Sequence, residues 1–291
     1  MNNEQIEIEP DELTVGRCAR WACIMEATAP KVGNVHPGAD FEDLTYYDFV
    51  SSAAAIELPM EAAQAGAPLG SVVLEAVRAT QAAVGTNSNL GMILLLAPLA
   101  CVPRNEPLAT GIVEVLEGLT AHDSTLVYQA IREASPGGLG KVDQADIDGQ
   151  APPHLLDAMR LAAERDLVAA QYANQFRQVL TWICPWLLEA DTLDWPPYEG
   201  IVFTHLRLLA RVPDSLIARK CGFEVAQDAS ARARHVMQGG FPGDAEYQQR
   251  LADFDQWLRS DGHRRNPGTS ADLIAAGLFC CLRDGLIKPL G

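Results

Sequence analysis

The sequence predicts an all-α protein, a single large multi-helix bundle whose functional loops lie at helix N-termini. Apolar residues recur with the 3.6-residue helical period in segment after segment. No alternating run of β-branched and aromatic residues is longer than four or five residues. No βαβ rhythm and no Gly-x-Gly-x-x-Gly turn is present, which argues against a Rossmann fold.

The predicted helices each carry an apolar stripe and end near Gly, Pro or a polar run. In chain order they are Val15–Thr28, Asp48–Ala65, Ser71–Val84, Leu90–Cys101, Pro107–Leu119, Ser124–Glu133, His154–Arg165, Val168–Leu188, Tyr198–Arg211, Asp244–Ser260 and Ser270–Leu286.

Composition limits the functional classes. The chain has 291 residues, of which 48% are hydrophobic and 21% charged, enough apolar material for a large core. With 22 basic and 38 acidic residues the net charge is -16, which argues against binding to nucleic acid or to an anionic membrane surface.

Several features favour a cytoplasmic protein. The longest apolar run, residues 91–102, is shorter than the roughly 20 residues that a membrane-spanning helix needs. The first dozen residues are polar and acidic and lack the features of a signal peptide. The seven cysteines are odd in number and none has CxxC spacing, so neither a disulfide framework nor a zinc site is predicted.

For domain organisation, we expect residues 1–12 to form a flexible acidic tail and residues 13–291 a single domain. The Gly-, Asp- and Pro-rich segment Gly137–Pro153 is expected to be a long loop within that domain. Apolar helix faces in a bundle of this size favour a homodimer.

Four segments interrupt the helical pattern, and each is a short polar or Gly/Pro run before a helix: Glu26–Gly38, Gly85–Gly91, Pro213–Gly222 and Asp261–Asp272. Helix N-termini present free N–H groups and the positive end of the helix dipole, which suit anions. Each segment can also be an ordinary cap: Asp214 can cap a short helix that Gly222 ends, and Thr269 or Ser270 can cap the last helix. If the four converge, they predict a pocket for a polyphosphate.

Taken together, the segments resemble the triphosphoribosyl-dephospho-CoA synthase family, in the family's order and over about residues 17–286. Residues 26–35, Glu-Ala-Thr-Ala-Pro-Lys-Val-Gly-Asn-Val, are similar to Glu-Ala-x-x-x-Pro-Lys-Pro-Gly-Leu-Val. Residues 85–91 resemble Gly-Val-Asn-Thr-His-Lys-Gly, and residues 214–222 resemble Asp-Thr-Asn-Leu-Val-x-Arg-Gly-Gly. The most specific match is Asn-Pro-Gly-Thr-Ser-Ala-Asp-Leu at 266–273, against Ser-Pro-Gly-Gly-Ser-Ala-Asp-Leu.

The resemblance implies an all-α fold and a nucleotide-dependent transferase that moves the triphosphoribosyl unit of ATP onto dephospho-CoA and releases adenine, with Mg²⁺ accompanying ATP. It implies catalytic roles for Glu26, Asp214, Asp272 and, as a proton carrier, His36. Asp214 and Asp272 are the candidate Mg²⁺ ligands. Residues expected to bind substrate or phosphate are Lys31, Gly33, Asn34, Asn87, Asn89, Gly91, Arg219, Arg265, Asn266, Gly268 and Ser270.

Departures from the family motifs leave alternatives open. Asn89-Leu90 stands where the family has His-Lys, and Pro213-Asp214-Ser215-Leu216 where it has Asp-Asp-Thr-Asn. The same fold acting on another phosphorylated acceptor, in tetrahydromethanopterin- or methanofuran-type cofactor biosynthesis, is one alternative. A non-catalytic nucleotide-binding protein is the second. In every case the expected partners are small-molecule nucleotides.

Overall fold

The computed structural model describes residues 13–134, 149, 151–193, 195–196 and 198–290. The predicted tail and most of the predicted loop 137–153 lie outside these residues. Within them the prediction of an all-α fold is confirmed, because the chain forms helices and no strand, and the one β-bridge is an isolated pair between His36 and Ala39.

Fifteen α-helices and one π-helical segment account for the regular structure of the described residues. They are α1 Val15–Thr28, α2 Tyr46–Ala55, α3 Glu57–Gln64, α4 Leu69–Val84, α5 Leu90–Ala100, α6 Leu108–Glu117, α7 Ala121–Ala134, α8 Leu155–Ala162, α9 Leu167–Ala173, the π-helix Val179–Ile183, α10 Cys184–Asp191, α11 Glu199–Arg211, α12 Ser215–Cys221, α13 Phe223–Met237, α14 Ala245–Arg259 and α15 Gly268–Arg283.

The centre of the bundle is α15, which packs against α1, α5, α9, the π-helix, α10, α11 and α12. Nearly all of its residues are buried, as is the run 92–100 of α5. A helix that is apolar on all sides must be surrounded by other helices. These two helices therefore bring their N-termini, and the loops before them, to the interior of the protein.

The helix prediction was wrong in three places. The helix predicted over 48–65 is divided into α2 and α3 at Ile56. The helix predicted over 168–188 is interrupted because Gln175 and Phe176 adopt left-handed backbone angles, with φ of 59° and 60°. Helix α13 was missed because its buried face consists largely of alanines, which give a weak apolar signal.

The short helix predicted after Asp214 is present as α12 and ends at Gly222, whose φ is +96°. Among the described ranges, no helix has both the length and the apolar character needed to span a bilayer.

Candidate active site

The four segments converge on one cavity of about 1130 Å³. Because the first and last segments are more than two hundred residues apart along the chain, only the packing of the bundle brings them together. The predicted site residues that line the cavity are Glu26, Asn34, Asn87, Asn89, Gly91, Arg219, Asn266, Gly268 and Asp272. Those that do not line it are Lys31, Gly33, His36, Asp214, Arg265 and Ser270.

Asp272, in the first turns of α15, is the acidic centre of the cavity. Its carboxylate lies against Gly91 of α5, so closely that a Cβ at residue 91 would be 2.0 Å from Oδ2 of Asp272. Desolvation raises the pKa of Asp272 well above its ordinary value, and the nearby charges of Glu26, Asp214 and Asp166 raise it further. Arg219 opposes this rise. A carboxyl whose pKa is raised in this way is a candidate for proton transfer.

Glu26, at the end of α1, is the second carboxylate of the cavity wall and is held by Lys31. Lys31 Nζ lies 2.9 Å from Glu26 Oε1, and both side chains are buried. Lys31 also donates to the backbone oxygens of Glu26 and Ala29. An ammonium has three N–H donors, so this lysine has none left for a phosphate. Desolvation raises the pKa of Glu26, and Lys31 counteracts that rise.

Asp214 is fully buried behind the cavity wall and joins α12 to α15. Oδ1 accepts hydrogen bonds from the N–H groups of Leu216 (2.8 Å) and Ile217 (3.0 Å). Oδ2 accepts from the N–H of Ser270 at 2.7 Å and from its hydroxyl at 2.8 Å. Through these four bonds Asp214 caps the N-terminus of α12 and forms a clamp that links α12 to Ser270 of α15.

The remaining predicted residues outside the cavity also make structural contacts. The N–H of Gly33 donates to Asp255 Oδ1 at 2.7 Å. Arg265 lies over the Trp257 ring, 4.5 Å from its centroid, and donates to the Trp257 backbone oxygen at 2.9 Å. The half-buried ring of His36 contacts the backbone oxygen of Pro37 through Nδ1 at 3.1 Å.

The cavity also has a basic side, a group of cationic side chains near the carboxylates, since the charge of Arg219 acts on Asp272. Arg219, in the last turn of α12, is joined there by Arg165, Lys220 and Arg264. Arg219 Nη1 is 3.5 Å from the carboxylate of Asp166, a partial pairing that leaves its Nε buried without a partner. Cations grouped around a pocket of a strongly acidic protein are suited to a polyanionic ligand.

Sequence reasoning missed Arg165, Asp166 and His263. Asp166 caps α9, accepting hydrogen bonds from Val168 N (2.9 Å) and Ala169 N (3.0 Å). The pair 165–166 follows the rule that identified the other four segments, polar residues in a break directly before an apolar helix. This break was overlooked because it is short: the predicted helices on either side, 154–165 and 168–188, leave almost no gap between them.

Several buried polar atoms on cavity-lining residues lack a hydrogen-bond partner within the described part of the chain. They are Oδ1 of Asn34, both amide atoms of Asn89, Nε of Arg219 and Nδ1 of His263. Buried polar groups are normally satisfied, so a cluster of unsatisfied ones indicates a region that takes up polar ligands or water.

No three His, Cys, Asp or Glu side chains in the described ranges are grouped so as to hold a metal ion by themselves. Mg²⁺ bound with a nucleotide needs only one or two carboxylates, since phosphate oxygens and water complete its shell. Asp272 fits this role because its carboxylate lines the cavity among other negative charges, whereas Asp214 already accepts four hydrogen bonds.

Comparisons with known proteins identify the family of the chain. No curated protein sequence matches the chain. A solved structure from Archaeoglobus fulgidus, provisionally assigned as a triphosphoribosyl-dephospho-CoA synthase, has 24% sequence identity and a TM-score of 0.65, covering 81% of this chain and 99% of its own. At this identity the likeness shows a shared fold. The model of the ATP:dephospho-CoA triphosphoribosyl transferase (CitG) family matches residues 12–289, nearly the whole chain. The chain therefore belongs to the ATP:dephospho-CoA triphosphoribosyl transferase family.

Proposed function

We propose that this protein transfers the triphosphoribosyl unit of ATP to a hydroxyl of dephospho-CoA and releases adenine. The observation that carries the proposal is a cavity lined both by carboxylates, with Asp272 at their centre, and by a group of cations. Substitution at the anomeric carbon of a nucleotide needs carboxylates to assist the reaction at the sugar and cations to hold the triphosphate.

The triphosphate would bind between the cations of the basic side and the N-terminus of α15. Arg219 and Arg264 supply guanidinium donors, which suit phosphate oxygens in bidentate geometry. Gly268 lies at the first position of α15, where N–H groups have no partner within the helix. Mg²⁺ bound to the phosphate oxygens and water would neutralise part of the charge that remains.

Two carboxylates would act at the sugar. Asp272, whose pKa is raised, would accept the proton of the incoming hydroxyl. Glu26 would stabilise the positive charge that develops on the ribosyl ring, because its carboxylate lines the cavity and is paired with the Lys31 ammonium at 2.9 Å. Opposite roles for two carboxylates in different environments are typical of glycosyl transfer.

The test is adenine release from Mg-ATP, with and without dephospho-CoA, together with mass spectrometry of the coupled product. We expect adenine that depends on dephospho-CoA and that disappears when Mg²⁺ is chelated. Asp272→Asn should lower the rate by at least about 100-fold while the protein stays folded. Glu117→Gln, an exposed carboxylate of α6, serves as the matched control. A folded wild-type protein that binds ATP but releases no adenine in the presence of dephospho-CoA would refute the proposal.

A further inference from the structure

His263 is the one histidine among the described residues that lines the cavity. It lies in the turn between α14 and α15, three residues before the Asn266-Pro267-Gly268 run that leads into α15. Its ring stacks on Phe41, with the centroids 4.0 Å apart and the planes inclined by 26°. The cavity thus has an imidazole with a fixed orientation, held against the loop that connects α1 and α2.

The backbone at His263 is held in an uncommon conformation. Its φ is +62°, in the left-handed region that few residues other than glycine adopt. The turn is fixed by a hydrogen bond from the N–H of Asn266 to the oxygen of His263 (3.1 Å). A second bond, from Arg264 Nη2 to the oxygen of Lys220 (3.0 Å), ties the turn to α12. Strained conformations that the surroundings enforce are concentrated at functional sites.

The two ring nitrogens of His263 differ in their surroundings. Within the described part of the chain Nδ1 is buried and has no hydrogen-bond partner, whereas Nε2 is not among the buried atoms that lack one. Arg264 and Lys220 line the same side, where the triphosphate is proposed to bind.

We propose that His263 is the general acid that protonates the leaving adenine, an inference that rests on the proposed transferase function. The bond between the anomeric carbon and N9 of adenine breaks, and its electron pair stays on the base. The imidazolium of His263 gives its proton to a ring nitrogen of the purine, such as N7, which leaves neutral adenine. The acceptor hydroxyl forms the new bond to the anomeric carbon and loses its proton to Asp272.

The experiment compares ATP with N7-methyl-ATP, whose purine already carries a positive charge and leaves without being protonated. His263→Asn is the first variant because asparagine tolerates left-handed backbone angles. We expect kcat for adenine release from ATP to fall by at least about 100-fold, with a much smaller change in KM. With N7-methyl-ATP the variant should approach the wild-type rate.

His263→Gly, which accepts a positive φ without strain, keeps the proposal testable if the asparagine variant does not fold. Added imidazole should restore its activity with ATP. His235→Gln, on the exposed face of α13, is the matched control and should behave as the wild type.

The outcomes separate this proposal from the one on which it rests. Wild-type release of adenine combined with an unimpaired His263→Asn variant would show that His263 is not the acid. Equal losses with both nucleotides, without rescue by imidazole, would assign it a structural role instead. A wild-type protein that releases no adenine would overturn the transferase function, and the role of His263 with it.

Discussion

The carboxylate of Asp272 occupies the space that a side chain at residue 91 would fill. A Cβ built on Gly91 would lie 2.0 Å from Oδ2 and 2.5 Å from Cγ of Asp272. Real atoms do not approach so closely, so the contact between α5 and α15 at the cavity requires glycine at this position. The geometry of the proposed base therefore depends on a residue that itself supplies no functional side chain.

Gly91→Ala should lower adenine release by about 100-fold, because the displaced carboxylate no longer has its catalytic position. Alanine otherwise favours a helix over glycine by about 1 kcal/mol, so a loss of activity with little loss of stability is the expected signature. The control is Gly111→Ala on α6, where the new Cβ would meet Val102 Cγ1 at 2.3 Å outside the cavity. That variant should melt at a lower temperature but keep the wild-type rate per folded molecule; a similar loss of activity there would contradict this account.

Lys31→Met should lower the free energy of unfolding by about 3–5 kcal/mol, because it leaves the buried carboxylate of Glu26 without its partner. Adding Glu26→Gln should recover part of that loss, since the neutral amide has no charge to compensate. Urea unfolding of the four proteins of this cycle measures the coupling. Lys220→Met, at an exposed position, should change stability by no more than about 0.5 kcal/mol. Additive effects of the Lys31 and Glu26 substitutions would mean that the pair is not coupled.

Asp214→Ala should destabilise the protein by about 2 kcal/mol or more, because α12 loses its cap and the N–H and hydroxyl of Ser270 lose their acceptor. Ser270→Ala removes one of these bonds and should cost about 1 kcal/mol. The two substitutions together should cost less than their sum, since they share the Asp214–Ser270 contacts. The midpoint of chemical unfolding measures these effects. An unchanged midpoint for Asp214→Ala would mean that the clamp contributes nothing to stability.

His205, fully buried on α11, should make the fold sensitive to acid. Within the described residues neither ring nitrogen makes a hydrogen bond of normal geometry, and burial lowers the pKa of His205 to about 3, assisted by the charge of Lys31. In the unfolded chain a histidine titrates near pH 6.5, so the unfolded state binds the extra proton as pH falls from about 6.5 to 3. Stability due to His205 is therefore present above about pH 6.5 and is lost below it, by up to about 1.4 kcal/mol per pH unit.

His205→Gln should flatten this dependence when urea unfolding is compared at pH 7 and pH 5. Glu26, Asp214 and Asp272 have raised pKa values, which act in the opposite direction, but they are present in both proteins and cancel in the comparison. Parallel curves for the wild type and the variant would show that His205 does not titrate in this range.

The helical fold follows from local chemistry that the sequence displays. The period of its apolar residues predicts most of the helices, and the unbroken apolar run before Cys101 predicts the buried helix α5. Polar residues directly before helices identify the four segments that meet at the cavity. Two features had no such signal. Nothing in the local sequence marks the left-handed turn at Gln175 and Phe176, and helix α13 shows no clear apolar period because its buried face is mostly alanine.

The orientation of individual side chains was decided by tertiary structure. Lys31 and Asp214 stand in polar loops that suit phosphate or metal, yet burial directs the first to Glu26 and the second to Ser270. Asp272 faces the cavity because α5 presents a glycine to it, a relation between residues far apart in the chain. Local sequence determines which polar groups stand near a helix end. Whether each group pairs with the protein or faces the cavity is decided only when the helices pack, because burial removes water and requires a new partner.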